Sequence, residues 1–168
     1  MTRVRVFVGG DWKSGDGGVT DLGMVSAPGA AKALVTLAGR ERRAKGAIFA
    51  ALIADSAVVW PDLLAIAKNG SASTENRKEA VFWLSQEAGD AATKGLTDLV
   101  EDEAEDREVR EQAVFALSQL PADQGVPILI RVARSNKDPQ VRRKAIFWLG
   151  QSEDPRALAL FEELLTKG

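Results

Sequence analysis

The sequence predicts a mainly α fold, an α-solenoid of about four helical hairpins behind a small N-terminal β element, and three observations predict it. One phrase is written three times: Ala-Val-Phe-Trp-Leu-Ser-Gln from Ala80, Ala-Val-Phe-Ala-Leu-Ser-Gln from Ala113 and Ala-Ile-Phe-Trp-Leu-Gly-Gln from Ala145. The copies start 33 and 32 residues apart, a period at which each helical unit leaves an apolar face that only its neighbour can cover. Leucines recur in two registers, Leu52, Leu84, Leu117 and Leu149 in one and Leu63, Leu96, Leu129 and Leu160 in the other. Short polar connectors, 69–73 and 135–139, separate the runs as they do between antiparallel helices.

Taken in order, residues 1–26 form the predicted β element. Val4, Val6 and Val8 alternate with Arg3, Arg5 and Phe7, the Asp16-Gly17 pair suits a tight turn, and 19–25 returns as a second strand. The solenoid then occupies 27–168. Ser26 followed by Pro28 signals a helix start; helix 27–38 carries Ala31, Leu34, Val35 and Ala38 on one face, and Gly39 ends it. Helix pairs follow over 42–68, 76–101, 108–134 and 140–166. Their first helices are 42–54, 76–87, 108–119 and 140–151; their second helices are 58–68, 91–101, 124–134 and 155–166. Asp90, Asp123 and Asp154 precede second helices and are expected to cap them. In helix 108–119, Val109, Ala113, Ala116, Leu117 and Leu120 form the inward stripe, and Phe115 points sideways. Phe82, Phe115 and Phe147 are thus expected to make an aromatic ladder between first helices. Asp106/Arg110 and Asp138/Arg142, four apart, place each arginine to reach back to its carboxylate and on to the adjacent repeat.

Composition narrows the function. The chain of 168 residues is 45% hydrophobic, enough for one continuous core, and carries 22 basic against 24 acidic side chains, net −2. That balance offers no bulk attraction to a polyanion, so nucleic acid is not an expected partner. Cysteine, histidine and tyrosine are all absent, which removes thiolates, the commonest general base and the commonest metal ligand together. The expected chain is not an enzyme and takes no cofactor or metal. No run of about 18 apolar residues is present to span a bilayer. The sequence as given reads as soluble and cytoplasmic, with a periplasmic or secreted location if a leader was removed.

Val109-Arg110, Ala113, Ala116-Leu117, then Val141-Arg142, Ala145, Leu149-Gly150 resemble the Val-Arg-x-x-Ala-x-x-Ala-Leu-Gly phrase of HEAT-like repeats, and Asp154-Pro155-Arg156-Ala157-Leu158 resembles the phrase that opens their second helix. The resemblance, stronger over 76–166 than over 41–75, is to bacterial proteins of short HEAT repeats, the type called phycobilisome-lyase HEAT-like. Trp83 and Trp148 depart from it, standing where a small alanine is usual. The resemblance implies a helical-repeat scaffold. It also raises chromophore attachment, for which these residues offer no chemistry, and metal-dependent hydroxylase or glycosylase activity, which the missing histidines and the charge balance oppose.

Several constellations have a functional and a structural reading. Gln86, Gln119 and Gln151 recur as a row of amides for a ligand, or as a ladder between helix ends. Trp83 and Trp148 suit partner anchors or core. The run 101–108 lacks the glycine and ligand spacing of a calcium loop and reads as a solvated turn. The basic cluster 40–45 reads as a solvated helix start, and the glycine-rich stretch 9–18 lacks the phosphate-loop pattern. The leading expectation is a non-catalytic scaffold that binds a protein or peptide on its second helices, with Lys94, Asp98, Glu101, Arg131, Arg134 and Glu162 as the contact face. The alternative is a self-assembling subunit, a homo-oligomer stacking through a final repeat whose Leu158, Leu160, Phe161, Leu164 and Leu165 have little polar cover beyond Glu162, Glu163 and Lys167.

Overall fold

The computed structural model describes residues 24–40, 47–52, 59–86 and 89–166. The described residues form helices and connectors, without a strand. The expected β element lies outside them except for residues 24–26, which lead directly into a helix; the glycine-rich stretch and all but Arg40 of the basic cluster lie outside as well.

Nine helices are described: α1 (Ala27–Arg40), α2 (Ala47–Leu52), α3 (Trp60–Ala67), α4 (Thr74–Leu84), α5 (Asp90–Glu101), α6 (Arg107–Ser118), α7 (Ala122–Ser135), α8 (Pro139–Gly150) and α9 (Pro155–Thr166). Helix α1 starts where the Ser26 hydroxyl accepts from Gly29 N, but it runs past Gly39 to Arg40 rather than stopping at 38. The first helices α4, α6 and α8 begin one or two residues earlier than expected, because Ser73, Asp106 and Asp138 cap them, each accepting a backbone N–H of the first turn. The expected caps of the second helices hold only at Asp154, which accepts from Arg156 N at 2.9 Å. Gly89 and Pro121 occupy the cap positions of α5 and α7; Asp90 and Asp123 lie inside the first turn, where they meet the helix dipole without capping it.

With the helices paired as expected (α2–α3, α4–α5, α6–α7, α8–α9), the second helices α3, α5 and α7 pack more closely on the next first helix (α4, α6, α8) than on the first helix of their own pair, and α2 packs chiefly on α1. First helices α4, α6 and α8 pack side by side, second helices α3, α5, α7 and α9 do the same, and α1 covers α2 and α3. The core runs between the layers: Ile48, Leu84, Leu117 and Leu149 face Leu63, Leu96, Leu129 and Leu160, all fully buried. Each such leucine contributes about 1.5–3 kcal/mol of apolar burial. The inward stripe of α6 is as expected, with Leu120 only partly covered. Gly125 lets α7 approach the end of α6, since a Cβ there would lie 2.3 Å from the Leu117 carbonyl oxygen.

Candidate functional site

The connectors between hairpins hold a repeated polar device. Asn69, Asp102 and Asn136, just after α3, α5 and α7, each accept the backbone N–H two residues on, an Asx turn that sends the chain into the next first helix. Into these turns reach two buried arginines 33 positions apart. Arg77 donates Nε to the Ala67 carbonyl at 2.8 Å and pairs through Nη2 with the Glu105 carboxylate. Arg110 donates Nε to the Val100 carbonyl, Nη2 to Asn136 Oδ1 at 3.0 Å and Nη1 to Asp138 at 3.4 Å. Of the two expected reaches, Arg110 makes the one to the following repeat and not the one back to Asp106. Arg142 likewise turns from Asp138 to the carbonyls of Asn136 and Lys137. The acidic run is not wholly solvated either, since Glu105 is buried against Arg77.

The second-helix layer carries the six expected contact residues. Four of them belong to ion pairs across its seams: Asp98 with Lys68 at 3.7 Å, Glu101 with Arg131 at 2.9 Å, and Arg134 with Glu163. These four side chains remain about half exposed. Lys94 and Glu162 are exposed and enter no ion pair among the described residues. The structure thus brings the six onto one layer as a mixed-charge row, with its ion pairs running across the steps between helices.

The first-helix layer is different in character, and here the sequence reading missed the geometry. The aromatic contacts across repeats are Phe to Trp, not Phe to Phe. Phe49 lies 5.6 Å from Trp83, and Phe115 lies 5.0 Å from Trp148. Each tryptophan is also edge-on to its own neighbour, Phe82 at 5.1 Å and Phe147 at 5.0 Å. The Phe82 ring has no such partner in the third hairpin, since Ala116 stands where a tryptophan is needed. Two clusters result, each centred on a half-buried tryptophan, while Phe49, Phe82 and Phe147 are 50%, 36% and 54% exposed. The core reading of the tryptophans holds in part: both pack against the core, half-buried, beside exposed phenylalanine rings. The signal was in the repeat itself, where Phe-Ala and Phe-Trp alternate.

The two clusters differ at one neighbouring position. Glu79 lies one turn before Trp83 and hydrogen-bonds it; burial raises the Glu79 carboxyl above its ordinary range, and the bond to Trp83 opposes that rise. One turn before Trp148 stands Lys144, which cannot accept, and the Trp148 indole N–H is buried without a partner among the described residues.

The remaining polar candidates are local. Gln86 and Gln119 donate to the preceding serine hydroxyls instead of forming a ladder. An open hollow of about 200 Å³ lies between the ends of α6 and α8 and the start of α7, lined by Leu117, Leu120, Val126, Trp148 and Gln151 among others. Among the described residues no cluster of three or more acidic side chains is arranged to hold a metal ion, and no helix is long and apolar enough to cross a membrane.

Comparison with protein-family models matches residues 94–168 to HEAT repeats. The match runs from α5 to the end of the chain, and with the all-helical hairpins it supports a HEAT-repeat protein and an α-solenoid. Comparison with curated proteins finds no match.

Proposed function

We propose that this chain is a non-catalytic protein-interaction scaffold whose second-helix layer docks a protein or peptide partner. HEAT repeats commonly serve as such scaffolds. The observation that carries the reading is the row of half-exposed ion pairs across the seams of that layer. The pairs hold α3, α5, α7 and α9 in register while leaving both signs of charge at the surface, an arrangement that suits orientation of a protein partner better than binding of a polyanion. Lys94 and Glu162, without such pairs, are available to a partner at no cost to the seams. Kinship with the short bacterial repeat proteins of the phycobilisome-lyase type rests on the Val109-Arg110 and Asp154-Pro155 phrases, and it brings no cofactor site with it.

Reversing Lys94→Glu and Glu162→Lys together tests the assignment, because neither change disturbs a seam. Affinity capture from cell extract should lose the partner held by the unmodified chain, with helical content unchanged. Equal recovery of that partner by both forms would remove this layer from consideration.

A further inference from the structure

The first-helix layer carries two aromatic clusters, Phe49–Trp83–Phe82 and Phe115–Trp148–Phe147. Their centres lie two helix steps apart, from α4 across α6 to α8, about 16–20 Å at the usual interaxial distances. The charges around them are opposite. Beside the first cluster stand Glu75, Lys78 and Glu79, with Lys78 drawn to Glu75 and to Glu108, so that Glu79 pairs with no cation among the described residues. Beside the second stand Arg143 and Lys144; Arg143 holds only the neutral Gln140 amide, and Lys144, 40% exposed, reaches Glu111 at a loose 3.8 Å. The strip is therefore acidic at one end, basic at the other, and aromatic at both.

A surface of that kind is complementary to itself after a half-turn. Rotation about an axis through α6 lays the acidic cluster of one copy on the basic cluster of another, twice over, which is the condition for an isologous contact. We propose that the first-helix layer binds a second copy of this chain in this antiparallel arrangement, with Phe82 packing near Phe147 and Glu79 facing Lys144 across the interface. The acids nearest the axis do not oppose it, since Glu108 and Glu111 are each met by a lysine of their own chain. The exposed rings supply apolar area, and the end charges set direction. The second-helix layer stays open on both copies, so this inference and the partner reading stand or fall separately.

Sedimentation of the full chain over a wide concentration range tests it. The unmodified chain should show a concentration-dependent dimer, and Phe147→Ala should weaken it at least about tenfold. Glu79→Lys alone and Lys144→Glu alone each put like charges at both contacts and should weaken it by about the same factor. Mixing those two variants makes both contacts attractive again and should restore a heterodimer within about threefold of the original affinity. The mixture keeps the test sound even if one variant is less stable, because thermal melts on each follow folding separately. A monomer at every concentration overturns the proposal. So does a mixture no more dimeric than its components, or a dimer that survives both reversals and is lost in Leu165→Glu, which would place the contact at the solenoid end.

Discussion

Arg77 and Arg110 occupy the same position in successive hairpins, and both are buried, yet they are held in different ways. Arg77 depends on one carbonyl and one carboxylate, and that carboxylate, Glu105, is itself buried. Arg110 spreads its donors over Val100, Asn136 and Asp138, and Asp138 has a second cation in Arg107 at 3.4 Å. Repetition preserved the buried cation and its reach into the next connector, while the partners diverged. The lesson is that a solenoid seam tolerates exchange of its polar partners so long as the guanidinium is answered.

Substitution breaks the two seams unequally. Arg77→Ala should cost the most, about 3–5 kcal/mol, because it leaves the largely buried Glu105 carboxylate without a cation, held only by the Asp106 N–H; urea unfolding measures it, and a loss below that of Arg110→Ala would reverse the comparison. Arg110→Ala should cost less, about 2–3 kcal/mol, since Asp138 keeps Arg107 and its cap bond. Asn136→Ala removes the amide that both accepts from Arg110 and donates to the Val100 carbonyl, and should cost about 1–2 kcal/mol. Arg107→Ala should be the mildest, about 0.5 kcal/mol or less, because the pair is exposed and Arg110 remains.

Acid sharpens the same contrast. The Gln140 N–H and then the fields of Arg107 and Arg110 hold the Asp138 carboxyl below its ordinary value, against a partial opposing effect of desolvation. Hydrogen bonds from Arg156 lower Asp154 to about 2. A carboxylate whose folded pKa is depressed stabilises the fold above its unfolded pKa, and the benefit disappears as pH falls through the folded value. Thermal stability should therefore drop as pH falls from about 4 toward 2. Asp154→Asn should flatten part of that drop when melts are compared at matched salt; an unaltered profile would remove Asp154 as a contributor.

The layering was legible because apolar period and leucine register are local statements about which face each helix buries. Leu84, Leu117 and Leu149 announced the core, while helix bounds slipped by up to three residues, at the first helices α4, α6 and α8 because capping by Ser73, Asp106 and Asp138 decided the first turn. The reach of Arg110 into the adjacent repeat was half legible: the sequence offered it beside a return to Asp106, and spacing of four within a helix could not choose the acceptor 28 residues away. Phe-to-Trp pairing was hidden for the same reason: the alternation of alanine and tryptophan is visible in the string, but which neighbour a ring leans toward is a property of the stack. The six charged residues of the second-helix layer were foreseen as one surface, whereas their pairing across seams depends on distances that no single helix contains.

The forward reach of Arg77 sets an order on synthesis. While the chain is being made, the second hairpin can close around its leucines, but its guanidinium has no counter-charge until Glu105, 28 positions later, has left the ribosome. At ordinary elongation speeds that interval is roughly one to six seconds. Each nascent hairpin is thus locked by its successor, and a stalled chain ending near residue 100 would expose a cation in an otherwise finished core.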